Sequence, residues 1–207
     1  MTTWKEVFGE RTGQRALFST LLYVAITLVV YTKFLVFVEQ RQGVVLADPL
    51  LAAFPAQDLT WPIFIVLYGS VVLAVASLLR DPSLLILALR SYATLVAIRM
   101  LCMWMIPLDP PVGMIALVDP VVQWATGARE ALSRDLFFSG HTSLLTLMAC
   151  LMPRTSLRVF FSVCAFAMGC FVVLQHVHYT IDVLVAPMAA YVAYRFMRGL
   201  SGLQVQQ

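Results

Sequence analysis

From Ala16 to Val38 the chain carries one charge, Lys33, in an otherwise apolar run. About 20 apolar residues match the roughly 30 Å hydrocarbon thickness of a bilayer. In that medium a lone segment has one stable form, a helix whose backbone groups satisfy one another. Similar runs recur at 61–79, 83–106, 137–152, 157–174 and 180–197. Hydrophobic residues make up 61% of the chain and charged residues 12%, against about 45–50% and about 25% in soluble domains. The sequence therefore predicts an all-α fold: a polytopic membrane helix bundle of about six transmembrane helices, forming one membrane domain over residues 1–207.

Residues 1–15 read as a cytoplasmic interfacial segment. Thr3-Trp4-Lys5-Glu6 has the form of a capping box. Trp4, Val7 and Phe8 then share a helical face suited to the membrane surface. Glu6, Glu10 and the length of the following apolar run do not fit a cleavable signal peptide. Arg80-Asp81-Pro82 predicts a tight turn, because proline suits the first turn of a new helix. Pro107, Pro110, Pro111 and Pro120 keep the start of the 107–135 loop from being regular helix. Pro187 predicts a kink in the last span.

Basic residues set an orientation. Lys5, Arg11, Arg15, Arg80, Arg154, Arg158, Arg195 and Arg198 fall on one side, and Arg41, Arg129 and Arg134 on the other. The positive-inside rule then places both termini in the cytoplasm, in the manner of a multi-pass inner-membrane protein. The net charge of +3, spread along the chain, gives no support for nucleic-acid binding. Cys102, Cys150, Cys164 and Cys170 lie in apolar stretches without metal-ligand or redox spacing, and read as small core residues.

The chain has three histidines, in two short patches. One is Asp135-Leu136-Phe137-Phe138-Ser139-Gly140-His141-Thr142, and the other is His176-Val177-His178-Tyr179-Thr180-Ile181-Asp182. Ionisable groups beside a bilayer are costly, and their default meaning there is functional. Both patches open a span on the outer side. His178 and Asp182 have the i,i+4 spacing that stacks two side chains on one helical face. A carboxylate there orients an imidazole and leaves its other nitrogen free as a base or nucleophile. Ser139 and Gly140 open a helix just before His141, and free N–H groups at a helix start favour a bound anion such as phosphate. Two histidines on one anion suit phosphoryl transfer, one attacking and one protonating the leaving oxygen. A structural i,i+4 pair, and a metal site of His141, His176, His178 and Asp182, are the competing readings. Arg99, inside the third span, could clamp a phosphate bidentately or serve structure. Lys33 could do the same or simply snorkel, and Arg90 ranks below both.

At these residues the chain resembles the sphingomyelin synthase family, within the wider class of six-helix lipid phosphatases and phosphotransferases. The family pattern Asp-x3-Ser-Gly-His-Thr corresponds to Asp135 and Ser139–Thr142. His-x-His-Tyr-Thr-Ile-Asp is present in full from His176 to Asp182. A weaker motif, an arginine followed by a proline-rich segment, corresponds to Arg99 and 106–111. The resemblance implies a catalytic triad of His141, His178 and Asp182. It further implies a phospholipid donor, a phosphohistidine, and a lipid alcohol such as ceramide, or water, as acceptor. Two histidines and a carboxylate supply nucleophile, acid and orientation without a Lewis acid, so no cofactor and no metal are expected. Substrate-binding candidates are Arg99, Ser139, Gly140, Asp135 and Lys33. The family's Cys-Gly before the motif aspartate is here Ser133-Arg134, and the short loops resemble bacterial members. Type-2 phosphatidate phosphatases, the second candidate, carry Ser-Arg where this chain has Phe171-Val172. A non-enzymatic transporter is the third, and would more often show inverted repeats and broken helices.

Overall fold

The computed structural model describes residues 3–119, 123–125 and 132–201. Arg129 and Pro120 lie outside them. Every long element is a helix: α1 (Trp4–Gly9), α2 (Arg11–Glu39), α3 (Thr60–Leu78), α4 (Pro82–Met105), α5 (Gly140–Leu151), α6 (Thr155–Leu174) and α7 (Thr180–Leu200). Five are long and apolar enough to cross a membrane, and α5 is shorter. At 1.5 Å per residue α2 rises about 44 Å and α5 only about 18 Å.

The local signals act as their chemistry dictates. Thr3 and Glu6 form the capping box of α1, Trp4 stacks on Phe8, and the Trp4 indole N–H donates to Leu79 O. α1 thereby rests on the α3–α4 turn. Asp81 caps α4, accepting from Ser83 N and Leu84 N, with Pro82 in the first turn. α2 begins at Arg11 rather than Ala16, because its polar first turn projects from the apolar run instead of ending the helix. Cys170 is exposed, and the other three cysteines are partly buried, so Cys170 is not a core residue. It lines an open groove of α6 shared with Thr146 of α5 and Val183 of α7.

The bundle closes around α5, which packs against α6, α7 and α4, while α2 packs on α4. Ala186, Ala190 and Ala193 of α7 are fully buried, a small-residue stripe at helical spacing that lets helices approach closely. Gly169 of α6 extends that fit: a Cβ there would lie 2.7 Å from Val183 Cγ1. Lower in the bundle Arg90 ties α4 to α2, donating to Thr20 Oγ1 at 2.7 Å and Ala16 O at 3.2 Å. This engages the guanidinium far from the histidine patches.

At the end of the bundle that carries the histidine patches the α2–α3 loop forms a strap. Val44 pairs with Leu108, and the Asp48 carboxylate receives Thr180 N at 2.7 Å and Thr180 Oγ1 at 3.1 Å. Burial opposes ionisation of Asp48, but these bonds and those from Leu51 and Leu50 outweigh it and lower its pKa. Tyr179 O–H donates to Asp109 O at 2.9 Å and accepts from Leu46 N at 3.1 Å.

Candidate active site

The first histidine patch turns into α5 at Ser139. Phe138 is fully buried and anchors the approach. Ser139 is the N-cap and accepts from Thr142 N, which satisfies one of the four orphan donors of a helix start. Gly140 and His141 occupy the first turn.

The second patch lies in the α6–α7 turn. α6 ends at Leu174, and Val177 N and His178 N both donate back to Val172 O, at 2.9 and 3.3 Å. His176 takes a left-handed backbone, φ 58°, which turns the chain. The i,i+4 spacing of His178 and Asp182 therefore does not run along a helix, as the sequence suggests. His178 precedes the N-cap Tyr179, and Asp182 is the third residue of α7. The pair still forms, across the helix start: His178 Nδ1 lies 3.2 Å from Asp182 Oδ2. The same Oδ2 accepts Tyr179 N at 3.2 Å. Asp182 is fully buried and sits where the helix dipole favours a carboxylate. With Nδ1 turned to Asp182, Nε2 is the nitrogen left for chemistry.

Ser139 N donates to Asp182 O at 3.1 Å, so the two patches are joined backbone to backbone. Both histidines line one cavity of about 200 Å³, shared with Gly140, Arg99, Asp135 and Tyr31. Three groups separated in sequence, His141, His178 and Arg99, thus meet at one space. Ser139 is buried behind it as the cap. Lys33 is exposed on α2 and lies outside the cavity lining.

Arg99 is 5% exposed, and most of its donors are engaged. Nε donates to Phe138 O at 2.8 Å, Nη1 to Tyr31 O–H at 2.5 Å and Nη2 to Asp135 O at 2.9 Å. Nη1 also pairs with Asp135 Oδ1 at 2.7 Å. The guanidinium lies over Gly140, where a Cβ would come within 3.1 Å of Arg99 Cζ. Arg99 therefore fixes the non-helical 135–138 segment while facing the cavity. Glu39 supports that segment from α2, accepting Ser133 N at 2.9 Å, Ser133 Oγ at 2.6 Å and Arg134 N at 3.0 Å. Arg134 Nε in turn reaches Asp109 Oδ1 at 2.6 Å.

Sequence reasoning missed Tyr31, Tyr92 and Asp119 at the cavity, and Gln175 beneath its rim. A tyrosine near a span end reads as an interfacial anchor, and a lone aspartate in a loop carries no motif. Among the described residues no group of three His, Cys, Asp or Glu side chains is placed to hold a metal ion.

Residues 134–199 match the family described as PAP2 superfamily C-terminal. Members of that superfamily are generally phosphatases and phosphotransferases. The PAP2 C-terminal stretch holds both histidine patches and Asp182, but not Arg99, Tyr31 or Lys33. Comparison with curated proteins finds no match.

Proposed function

We propose that this chain is an integral membrane lipid phosphotransferase, similar to sphingomyelin synthases. It would move the phospho-headgroup of a phospholipid to a lipid alcohol or to water. The observation that carries this is the shared cavity: His141 and His178 line it together, with Asp182 bound to His178 Nδ1.

In the first step Nε2 of His178 attacks phosphorus, forming a P–N bond. The P–O bond to diacylglycerol breaks, and protonated His141 supplies the proton that the leaving oxygen needs. Asp182 stabilises the positive charge that grows on His178. In the second step the acceptor hydroxyl gives its proton to His141 and attacks phosphorus, and the P–N bond breaks. Gly140 and His141 present N–H groups of the α5 N-terminus to the anion. Arg99, stacked over Gly140, and Asp135 set the shape of that end. Lys33 enters this mechanism only through flexible reach from the exposed face of α2.

The PAP2 match favours a second reading, hydrolysis of a lipid phosphomonoester, with water as the acceptor. Purified protein incubated with phospholipid labelled in the headgroup, with and without ceramide, separates the two. Transfer predicts a labelled lipid product that depends on the added alcohol. Phosphate release from phosphatidic acid, with no labelled transfer product, would overturn the transferase reading.

A further inference from the structure

Gln175 is the C-cap of α6, three residues before His178, and is fully buried. Its side chain bonds two segments distant in sequence. Oε1 accepts from Leu59 N at 3.0 Å, and Nε2 donates to Thr60 Oγ1 at 3.1 Å and to Ile115 O at 3.2 Å. Its backbone carbonyl accepts from Ile115 N at 3.2 Å. Ile115 is thus held at both its N–H and its C=O, as in one rung of a sheet, by a residue that is not in a strand. One residue on, His176 Nδ1 lies 3.2 Å from Val112 O, and its ring meets Phe54 edge-on at 5.5 Å.

The segment held this way forms a cavity wall. Met114 and Leu117, flanking Ile115, and Asp119 beyond them all line the cavity that His141 and His178 share. That wall has no regular secondary structure to fix its place. A buried amide with its donors and acceptor satisfied is costly to disturb, since each unmatched group keeps its full desolvation penalty.

We propose that Gln175 is a positioning residue for the lipid headgroup, a clasp that holds the 112–119 wall at a fixed distance from His178. This rests on the phosphotransfer reading for its kinetic consequence, and on geometry alone for its structural one. Gln175 touches neither the cavity nor the reacting atoms. It acts through Met114 and Leu117, and loosening it alters how the substrate is received more than how the bond is broken.

Two variants test this from opposite sides. Gln175→Glu keeps the acceptor for Leu59 N but has no N–H for Ile115 O. Ile115→Pro removes the N–H that Gln175 O accepts, at a position outside any helix. Each variant is purified in detergent, and amide hydrogen exchange is followed over 112–119 and over α5. The expected result is faster exchange over 112–119 with α5 unchanged. Steady-state turnover should show KM raised about tenfold with kcat within about threefold of wild type. Unchanged exchange over 112–119 in both variants overturns the clasp. Faster exchange with an equal fall in kcat and no change in KM overturns the headgroup role. Wild-type protein with no lipid transfer, together with faster exchange in both variants, refutes the phosphotransfer reading and leaves the clasp standing.

Discussion

Asp182→Asn is the sharpest test of the mechanism, because one oxygen carries two bonds. Oδ2 accepts both Tyr179 N and His178 Nδ1, each at 3.2 Å. The backbone N–H is an obligatory donor, so an asparagine places its amide oxygen there. His178 then keeps the same tautomer, Nδ1 still donating and Nε2 still free. The charge is lost, and an NH2 replaces Oδ1, which has no hydrogen-bond partner. In the proposed first step His178 becomes a phosphoimidazole and its ring turns positive. Two unit charges about 4 Å apart at an effective dielectric constant of about 20 interact by about 4 kcal/mol. A single charge-assisted hydrogen bond sets a lower bound of about 1.5–3 kcal/mol. Each 1.36 kcal/mol is about a factor of ten in rate, so the first step should slow by roughly 10–10³. The assay is single-turnover formation of labelled phosphoenzyme and release of diacylglycerol, with thermal unfolding run alongside. Unlike Asp182→Ala, the asparagine keeps both buried donors bonded, and the thermal unfolding run measures what its buried NH2 costs. If phosphoenzyme forms within about threefold of the wild-type rate in a folded Asp182→Asn protein, His178 is not the nucleophile oriented by Asp182.

Arg99→Lys cannot bond Phe138 O, Tyr31, Asp135 O and the Asp135 carboxylate together. It should lower turnover roughly tenfold or more, with Arg99→Ala worse, since losing one charge-assisted hydrogen bond costs about 1.5–3 kcal/mol; near-normal turnover of both in membranes would deny Arg99 any part in the site. For topology, a cysteine at Val112, which is 82% exposed, should react with an impermeant thiol reagent in intact cells, and one at Thr155 should not; the reverse pattern would invert the orientation. Asp48 has a folded pKa below its ordinary value, so its stabilisation is present above the unfolded pKa of about 3.9 and lost as pH falls through the folded value. Asp48→Asn should therefore lower Tm at pH 7 and lose that deficit on acidification; a pH-independent deficit would mean the carboxylate's charge plays no part.

Local signals were legible, and tertiary ones were not. The Thr3 capping box, the Asp81-Pro82 helix start and the Ser139 cap rest on neighbours within three residues, so spacing alone conveys them. The start of α7 was legible, since the apolar run opens at Thr180 and so does the helix. What misled was the i,i+4 spacing of His178 and Asp182: His178 lies two residues before that start, and the pair forms across the helix end rather than along one face. Gln175 was invisible because its partners Leu59, Thr60 and Ile115 are brought to it only by the fold. Arg99 was legible as an intramembrane charge, but not its partner Tyr31, because a tyrosine hydroxyl at a span end needs no partner but water.

The short rise of α5 makes bilayer thickness a variable of the proposed reaction. A hydrocarbon slab of about 30 Å exceeds that rise by about 12 Å. The difference falls to irregular chain at its two ends, Asp135–Phe138 above and Met152–Arg154 below. Irregular backbone at membrane depth survives only where protein satisfies its polar groups. Arg99 does so at one end, and Arg158, donating to Met152 O at 3.3 Å, does so at the other. Vesicles built from longer acyl chains load both ends with mismatch strain, and the 135–138 loop that leads into the candidate site lies at one of them. Lipid chain length should therefore tune turnover even where the lipid being varied is never a substrate.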